Sequence, residues 1–170
     1  MKRLCLIILS FICLSVPVTA QEIQSAVIKG GVSLTNKVPD GFFATWRVTS
    51  IQTYTNNPSL FTGESSDYWN LSRSNDVITL SNPVSGAEAS VTVEDVKANT
   101  VKFTRKREDS NEKVTETPTL TLNGENFSGT DKIVIEKYKY GELVRTDVVE
   151  YKINAVKVSG SSANKILTSN

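Results

Sequence analysis

Apolar and polar residues alternate along most of the chain after residue 40. In the run from Phe42 to Thr53, apolar residues occupy positions 42, 44, 46 and 48, and polar residues occupy positions 45, 47 and 49. A period of two residues is typical of a β-strand with one buried face. Further runs begin at residues 68, 77, 89, 101, 114, 126, 132 and 143. No segment longer than two turns follows a helical period, so the chain is predicted to be all-β.

Short turn sequences separate these runs. Asn123-Gly124 is the strongest hairpin signal in the chain, because both residues tolerate a positive φ. Ser74-Asn75-Asp76 and Pro83-Val84-Ser85-Gly86 have the composition of further turns. Links this short force antiparallel neighbours, since a parallel return needs about a dozen residues or more. The link from Tyr54 to Asp67 is the one clear candidate for a longer crossing.

A meander of about eight to ten short antiparallel strands closes most economically as an up-and-down β-barrel, because closure removes the exposed edges. One apolar face on each strand fits a barrel interior, and a β-sandwich is the alternative with similar alternation. We predict a barrel domain over residues 41–158, preceded by a segment at 21–40 in which Val27 to Leu34 could add one strand. A parity change late in the last strand predicts a bulge near Asn154-Ala155. Residues 159–170 are predicted to form a flexible tail.

The first twenty residues have the pattern of a secretory signal peptide. Met1–Arg3 is basic, Leu4–Val16 is apolar, and Pro17–Ala20 leaves small residues at a cleavage site after Ala20. The apolar run is shorter than the ~20 residues that span a bilayer. We therefore expect an exported protein, periplasmic or extracellular, that is soluble after cleavage and does not span a membrane.

The composition of the mature chain excludes several functions. Both cysteines, Cys5 and Cys13, lie in the signal segment and the chain has no histidine, so the mature domain is disulfide-free and needs an apolar core. The whole chain has 19 Lys+Arg and 18 Asp+Glu; removal of Lys2 and Arg3 leaves 17 against 18, a net charge of −1. We expect no nucleic-acid partner, because such binding needs excess positive charge.

Candidate catalytic chemistry is sparse. Nucleophilic catalysis would have to proceed without a histidine base, and the usual zinc and iron ligands are missing as residue types. The adjacent pairs Glu94-Asp95 and Glu108-Asp109 lie at predicted hairpin ends, where solvated turns explain them. We predict no enzyme activity, no cofactor and no metal. An enzyme that uses carboxylates alone is the third hypothesis, and an inward-facing pair of Asp or Glu side chains would favour it.

One segment resembles a known family. Ala44-Thr45-Trp46-Arg47-Val48 resembles the Gly-X-Trp motif in the first strand of lipocalin-like barrels, and Gly41 lies in the approach to it. Ala44 stands where glycine is usual in that family. The resemblance implies a barrel whose tryptophan, here Trp46, closes one end, and a cup that binds small apolar molecules.

The inward faces of the strands supply the candidate ligand-binding residues. Arg73 shares its parity with Trp69, and Arg105 shares its parity with Phe103, so either arginine could meet an acidic headgroup at a barrel mouth. The leading hypothesis is a non-enzymatic barrel that binds a small apolar or amphipathic molecule. The alternative is an interaction module with a filled core that docks on an envelope protein, through Phe61 or an edge strand. The full predicted set is Trp46, Trp69, Arg73, Phe103, Arg105, Phe127 and Tyr151.

Overall fold

The computed structural model describes residues 33–160 of the 170-residue chain. The predicted signal peptide, residues 27–32 of the possible strand Val27–Leu34, and residues 161–170 of the predicted flexible tail lie outside the described residues, as do residues 21–26. Two short 3-10 helical turns, Leu34–Lys37 and Asp40–Phe42, come first. Eight strands follow: β1 (Ala44–Thr55), β2 (Glu64–Ser74), β3 (Val77–Ser81), β4 (Glu88–Lys97), β5 (Thr100–Glu108), β6 (Glu112–Asn123), β7 (Asn126–Lys139) and β8 (Glu142–Gly160).

The eight strands form a closed antiparallel barrel. Each strand pairs with its neighbours in sequence, and β1 also pairs with β8 over most of its length. The predicted all-β meander is therefore confirmed, and the β-sandwich alternative is wrong because one sheet closes on itself. The two runs predicted to begin at residues 126 and 132 belong to the single strand β7. No helix among residues 33–160 is long and apolar enough to cross a membrane.

The two helical turns cover one end of the barrel, which we name the closed end. Val38 and Phe42 on these turns are buried, with 2% and 0% of their surface exposed. The indole Nε1 of Trp46 donates a 2.9 Å hydrogen bond to the carbonyl oxygen of Phe42. The hydroxyl of Thr35 donates to the carbonyl oxygen of Asp76 in the β2–β3 turn. These contacts join the N-terminal turns to the barrel wall and bury their apolar side chains in its core.

The opposite end, which we name the open end, has an uneven wall. Strand β3 has only five residues and reaches no further than Asn70 of β2, so Glu64–Trp69 of β2 has no partner on that side. On β5, the end of the strand from Arg105 to Glu108 pairs only with β6. Ser65 and Asp67 face inward by their register with β1, yet both are exposed. The interior is therefore polar and reaches solvent at this end.

The bulge predicted at Asn154-Ala155 is wrong. Alternation on β8 continues through Ala155, which is 3% exposed on the inward face. The β1–β8 pairing has two register shifts, and the one in this part of β8 falls between Lys157 and Ser159 instead. Val156 and Val158 caused the apparent change of parity, because both are apolar residues on the outer surface, 49% and 55% exposed. Strand β8 extends two residues beyond the predicted barrel boundary, to Gly160.

Candidate functional site

Four of the predicted site residues are aromatic rings in the closed half of the barrel. Trp46, Phe103 and Phe127 are at most 2% exposed, and Trp69 is half-buried. The ring centroids of Trp46 and Phe127 lie 4.8 Å apart, and those of Trp69 and Phe127 lie 6.3 Å apart. Phe42 from the covering turn adds an edge-to-face contact with Phe103 at 6.4 Å. Aromatic rings at these distances pack favourably on one another, so the four residues form the core of the closed half.

Arg73 also lies at the closed end, where it holds the N-terminal turns. Its Nη2 donates to Asp40 at 2.7 Å, and its Nη1 donates to the carbonyl oxygen of Thr35 at 3.2 Å. The guanidinium lies 4.6 Å from the centre of the Phe43 ring, a cation–π distance. The donors of Arg73 are thus directed at the chain's own N-terminal segment.

Arg105 lies in the open half of the barrel and faces inward, as its parity predicted. It forms an ion pair with Glu116 on the neighbouring strand β6. The side chain of Glu116 is 8% exposed, and Asp131 on β7 is 4% exposed. Asp131 hydrogen-bonds Glu116, so one guanidinium faces two buried carboxyls. The structure therefore places Arg105 in an interior acidic cluster that lies away from the closed-end rings.

Asp131 is the most perturbed acid of the cluster. Its burial raises the pKa of the carboxyl to about 8, with further contributions from the charge of Glu116 and the hydrogen bond to it, while Arg105 opposes the change. The group is therefore largely protonated at neutral pH. Within residues 33–160, the Oδ1 atom of Asp131 has no hydrogen-bond partner.

Tyr151 and Gln52 extend this cluster around the barrel. Tyr151 on β8 is paired in register with Asp131 on one side and with Gln52 of β1 on the other. The Oε1 atom of Gln52 is buried and lacks a hydrogen-bond partner among the described residues. The inward side chains of five neighbouring strands thus form a polar belt, which consists of Gln52, Tyr151, Asp131, Glu116 and Arg105.

The β1–β2 loop, residues 56–63, is held against the open end. The hydroxyl of Tyr151 donates to the carbonyl oxygen of Thr62 at 3.2 Å, and Nδ2 of Asn57 donates to Asp147 at 2.9 Å. Phe61 is half-buried and packs against the core. The hypothesis of an exposed apolar patch at Phe61 is therefore wrong, because the loop turns this ring inward.

The described part of the barrel includes two surface cavities. One, of about 580 Å³, lies at the rim of the open end between the β5–β6 and β7–β8 turns. Glu112 contributes to its lining and binds Arg107 at 2.7 Å and Lys137 at 3.3 Å. The other, of about 310 Å³, lies at the wall formed by β1, β7 and β8, where Arg47 and Asn154 are among the lining residues. The rim cavity is the one adjacent to inward-facing charged residues.

Sequence reasoning missed three members of the belt. Glu116 shares its parity with Leu120, and Asp131 shares its parity with Phe127, which is the same signal that identified Arg105. Parity could therefore have found both carboxyls. Gln52 shares its parity with Trp46 and Val48, so the same signal places it on the inward face of β1.

Comparison with known proteins gives no relative. No family model, no curated protein and no solved structure matches the chain. The lipocalin-like resemblance thus rests on Ala44–Val48 alone and stays a prediction. Within the described part of the chain, no group of three or more acidic, histidine or cysteine side chains is placed to hold a metal ion.

Proposed function

We propose that this protein is an exported, non-enzymatic binding protein whose barrel holds a small amphipathic molecule in its open half. The observation that carries the proposal is the polar belt, in which the acceptors Asp131 Oδ1 and Gln52 Oε1 are buried without partners among the described residues. A buried acceptor left without a hydrogen bond costs about 1–3 kcal/mol. A bound molecule with hydrogen-bond donors would offset that cost.

The packing of the closed half favours an amphipathic ligand over a wholly apolar one. The rings of Trp46, Phe103 and Phe127 contact one another or Phe42, so they serve as core. Apolar surface near the belt comes from Ile133, which is half-buried on β7. The proposed ligand therefore presents a polar group to the belt and a short hydrocarbon part to this wall.

The inward-facing pair Glu116 and Asp131 is the feature that favours the carboxylate-enzyme hypothesis. Glu116 acts on the Asp131 carboxyl through its charge and a hydrogen bond, so the two acids are partners of each other. Arg105 also forms an ion pair with Glu116, so that carboxylate already has a partner within the chain. These contacts support binding over catalysis.

An exposed hairpin tip favours a second candidate function, that of a protein-interaction module. Tyr140 at the β7–β8 turn is 94% exposed, and Leu143 and Val144 beside it are 51% and 59% exposed. Large apolar side chains grouped at a tip are typical of docking surfaces. This candidate needs no ligand in the barrel.

Native mass spectrometry of the protein purified from its own host distinguishes the two functions. We expect a retained small molecule in the wild type and in Tyr140→Ala, and its loss in Gln52→Leu. A stably retained protein, lost in Tyr140→Ala, would support the interaction module instead. An N-terminus at Gln21 in the same sample would support export; an unprocessed Met1 would contradict it.

A further inference from the structure

Ionisable side chains of both signs face inward in the open half of the barrel. Strand register and alternation place nine charged side chains on this face. Five are acidic and four are basic, and the protonation of Asp131 at neutral pH leaves four carboxylates facing four bases in the free protein. The acids are Asp67, Glu112, Glu116, Asp131 and Asp147, and the bases are Arg105, Arg107, Lys137 and Arg145.

Most of these carboxyls have a partner in the chain. Glu112 binds Arg107 and Lys137, and Glu116 binds Arg105. The Oδ1 atom of Asp147 accepts a hydrogen bond from Asn57. Its Oδ2 atom lies 2.8 Å from Nε of Arg145, in an ion pair that does not have hydrogen-bond geometry. Asp67 is exposed at the mouth and accepts from Asn82 at 2.5 Å.

Asp131 differs from the other four. It is 4% exposed, no basic side chain forms an ion pair with it, and its Oδ1 atom is unpartnered among residues 33–160. The groups that face it are Glu116 from β6, Arg105 from β5 and Tyr151 from β8. Gln52 also has an oxygen without a partner among these residues, and it lies on the other side of Tyr151 from Asp131. The backbones of Gln52 and Asp131 are two strands apart, a spacing of about 10 Å.

We propose that the ligand held by the polar belt is a small primary or secondary ammonium, whose N–H groups donate to Asp131 and Gln52. The proposal rests on the proposed function and specifies its ligand class. An alkylammonium carries two or three donors and no acceptor, so it matches two acceptors that lack donors. Its positive charge favours the ionised form of Asp131 beside it, whereas an anionic headgroup would meet repulsion from Glu116. The aromatic ring of Tyr151 supplies a cation–π surface beside the same site.

Isothermal titration calorimetry with four probes of equal chain length tests the ligand class. The probes are hexylammonium, hexyltrimethylammonium, hexanol and hexanoate. We expect hexylammonium to bind at least tenfold more tightly than hexyltrimethylammonium, which has the charge but no N–H donor. Hexanol should bind more weakly than hexylammonium, and hexanoate should not bind.

Substitutions in the polar belt test whether hexylammonium binds there. Asp131→Asn and Gln52→Met should each lower the affinity for hexylammonium at least tenfold, whereas Tyr140→Ala should bind it as tightly as the wild type does. Thermal unfolding checks that each variant folds. Wild-type affinity for hexylammonium in both belt variants would overturn the proposal, as would preferential binding of hexanol or hexanoate. Absence of binding by all four probes would also overturn it. A retained non-amine in the host-purified protein would overturn the ligand class and leave the proposed function standing.

Discussion

At the scale of single residues, Asp131 makes the stability of the barrel depend on pH. Its folded pKa of about 8 lies far above the ordinary value of 3.8, and burial is the main cause. Between these two values the folded protein holds a proton that the unfolded chain has lost. The contribution of Asp131 to stability is therefore greatest below pH 3.8 and is lost as the pH rises through about 8.

We predict that the free energy of unfolding of the wild type falls, relative to Asp131→Asn, as the pH rises from 4 to 8. The slope of the difference should reach up to about 1.4 kcal/mol per pH unit for one proton. Urea unfolding at several pH values measures it, and the comparison with Asp131→Asn cancels the other carboxyls. Parallel profiles for the two proteins would contradict the assigned protonation.

Gly129 is a second residue with a defined structural role. It lies on the inward face of β7 opposite Leu120, and a Cβ atom there would collide with the backbone carbonyl of Thr119. We predict that Gly129→Ala lowers the free energy of unfolding by roughly 2–3 kcal/mol, the usual cost of overpacking. Gly63→Ala is the matched control, because a Cβ at Gly63 has no neighbour within 4 Å. Chemical denaturation of both variants checks the prediction, and similar losses in both would refute it.

At the scale of elements, alternation predicted the strands whose inward residues are apolar. Strand β3 matches its predicted bounds because Ile78 and Leu80 are buried between two turns. Strand β2 begins at Glu64, four residues before the predicted start at Tyr68, because its inward residues there are polar and exposed at the open end. An apolar period therefore predicts a strand only as far as the strand borders the core.

The candidate site was predictable only in part for a related reason. Parity places Arg105 and Glu116 on inward faces, but their contact depends on the register across the β5–β6 turn. That turn lies in the charged stretch from Arg105 to Lys113, where no apolar pattern fixes the register. The sequence therefore predicts which residues face the interior in the polar belt, but not which of them contact one another.

Arg73 connects the N-terminal turns to the barrel wall. We expect Arg73→Gln to speed hydrogen exchange at the Phe42 and Phe43 amides, because this arginine holds the turns through Asp40 and Thr35. The loss in global stability should be about 1 kcal/mol. Arg47→Gln is the control, since Arg47 is exposed on the outer wall. Unchanged exchange at both amides in Arg73→Gln would show that the arginine does not hold the turns.

At the scale of the whole molecule, the barrel consists of two halves with different roles. The closed half is packed with aromatic rings around Trp46, and the open half carries the polar belt. We predict that Trp46→Ala lowers the free energy of unfolding by about 3–5 kcal/mol, and Tyr140→Ala by less than about 0.5 kcal/mol. Thermal and urea unfolding measure both, and a small effect of Trp46→Ala would contradict a packed closed half.

The position of the bound ligand decides whether the open half of the barrel is a binding site. Two-dimensional NMR of the isotope-labelled protein, titrated with hexylammonium, reports on every backbone amide. We expect the shift changes to be concentrated at the residues of the polar belt, Gln52, Glu116, Asp131 and Tyr151, with little change at the hairpin tip around Tyr140. Shift changes confined to that tip, or none at any amide of the belt, would contradict a ligand site in the open half of the barrel.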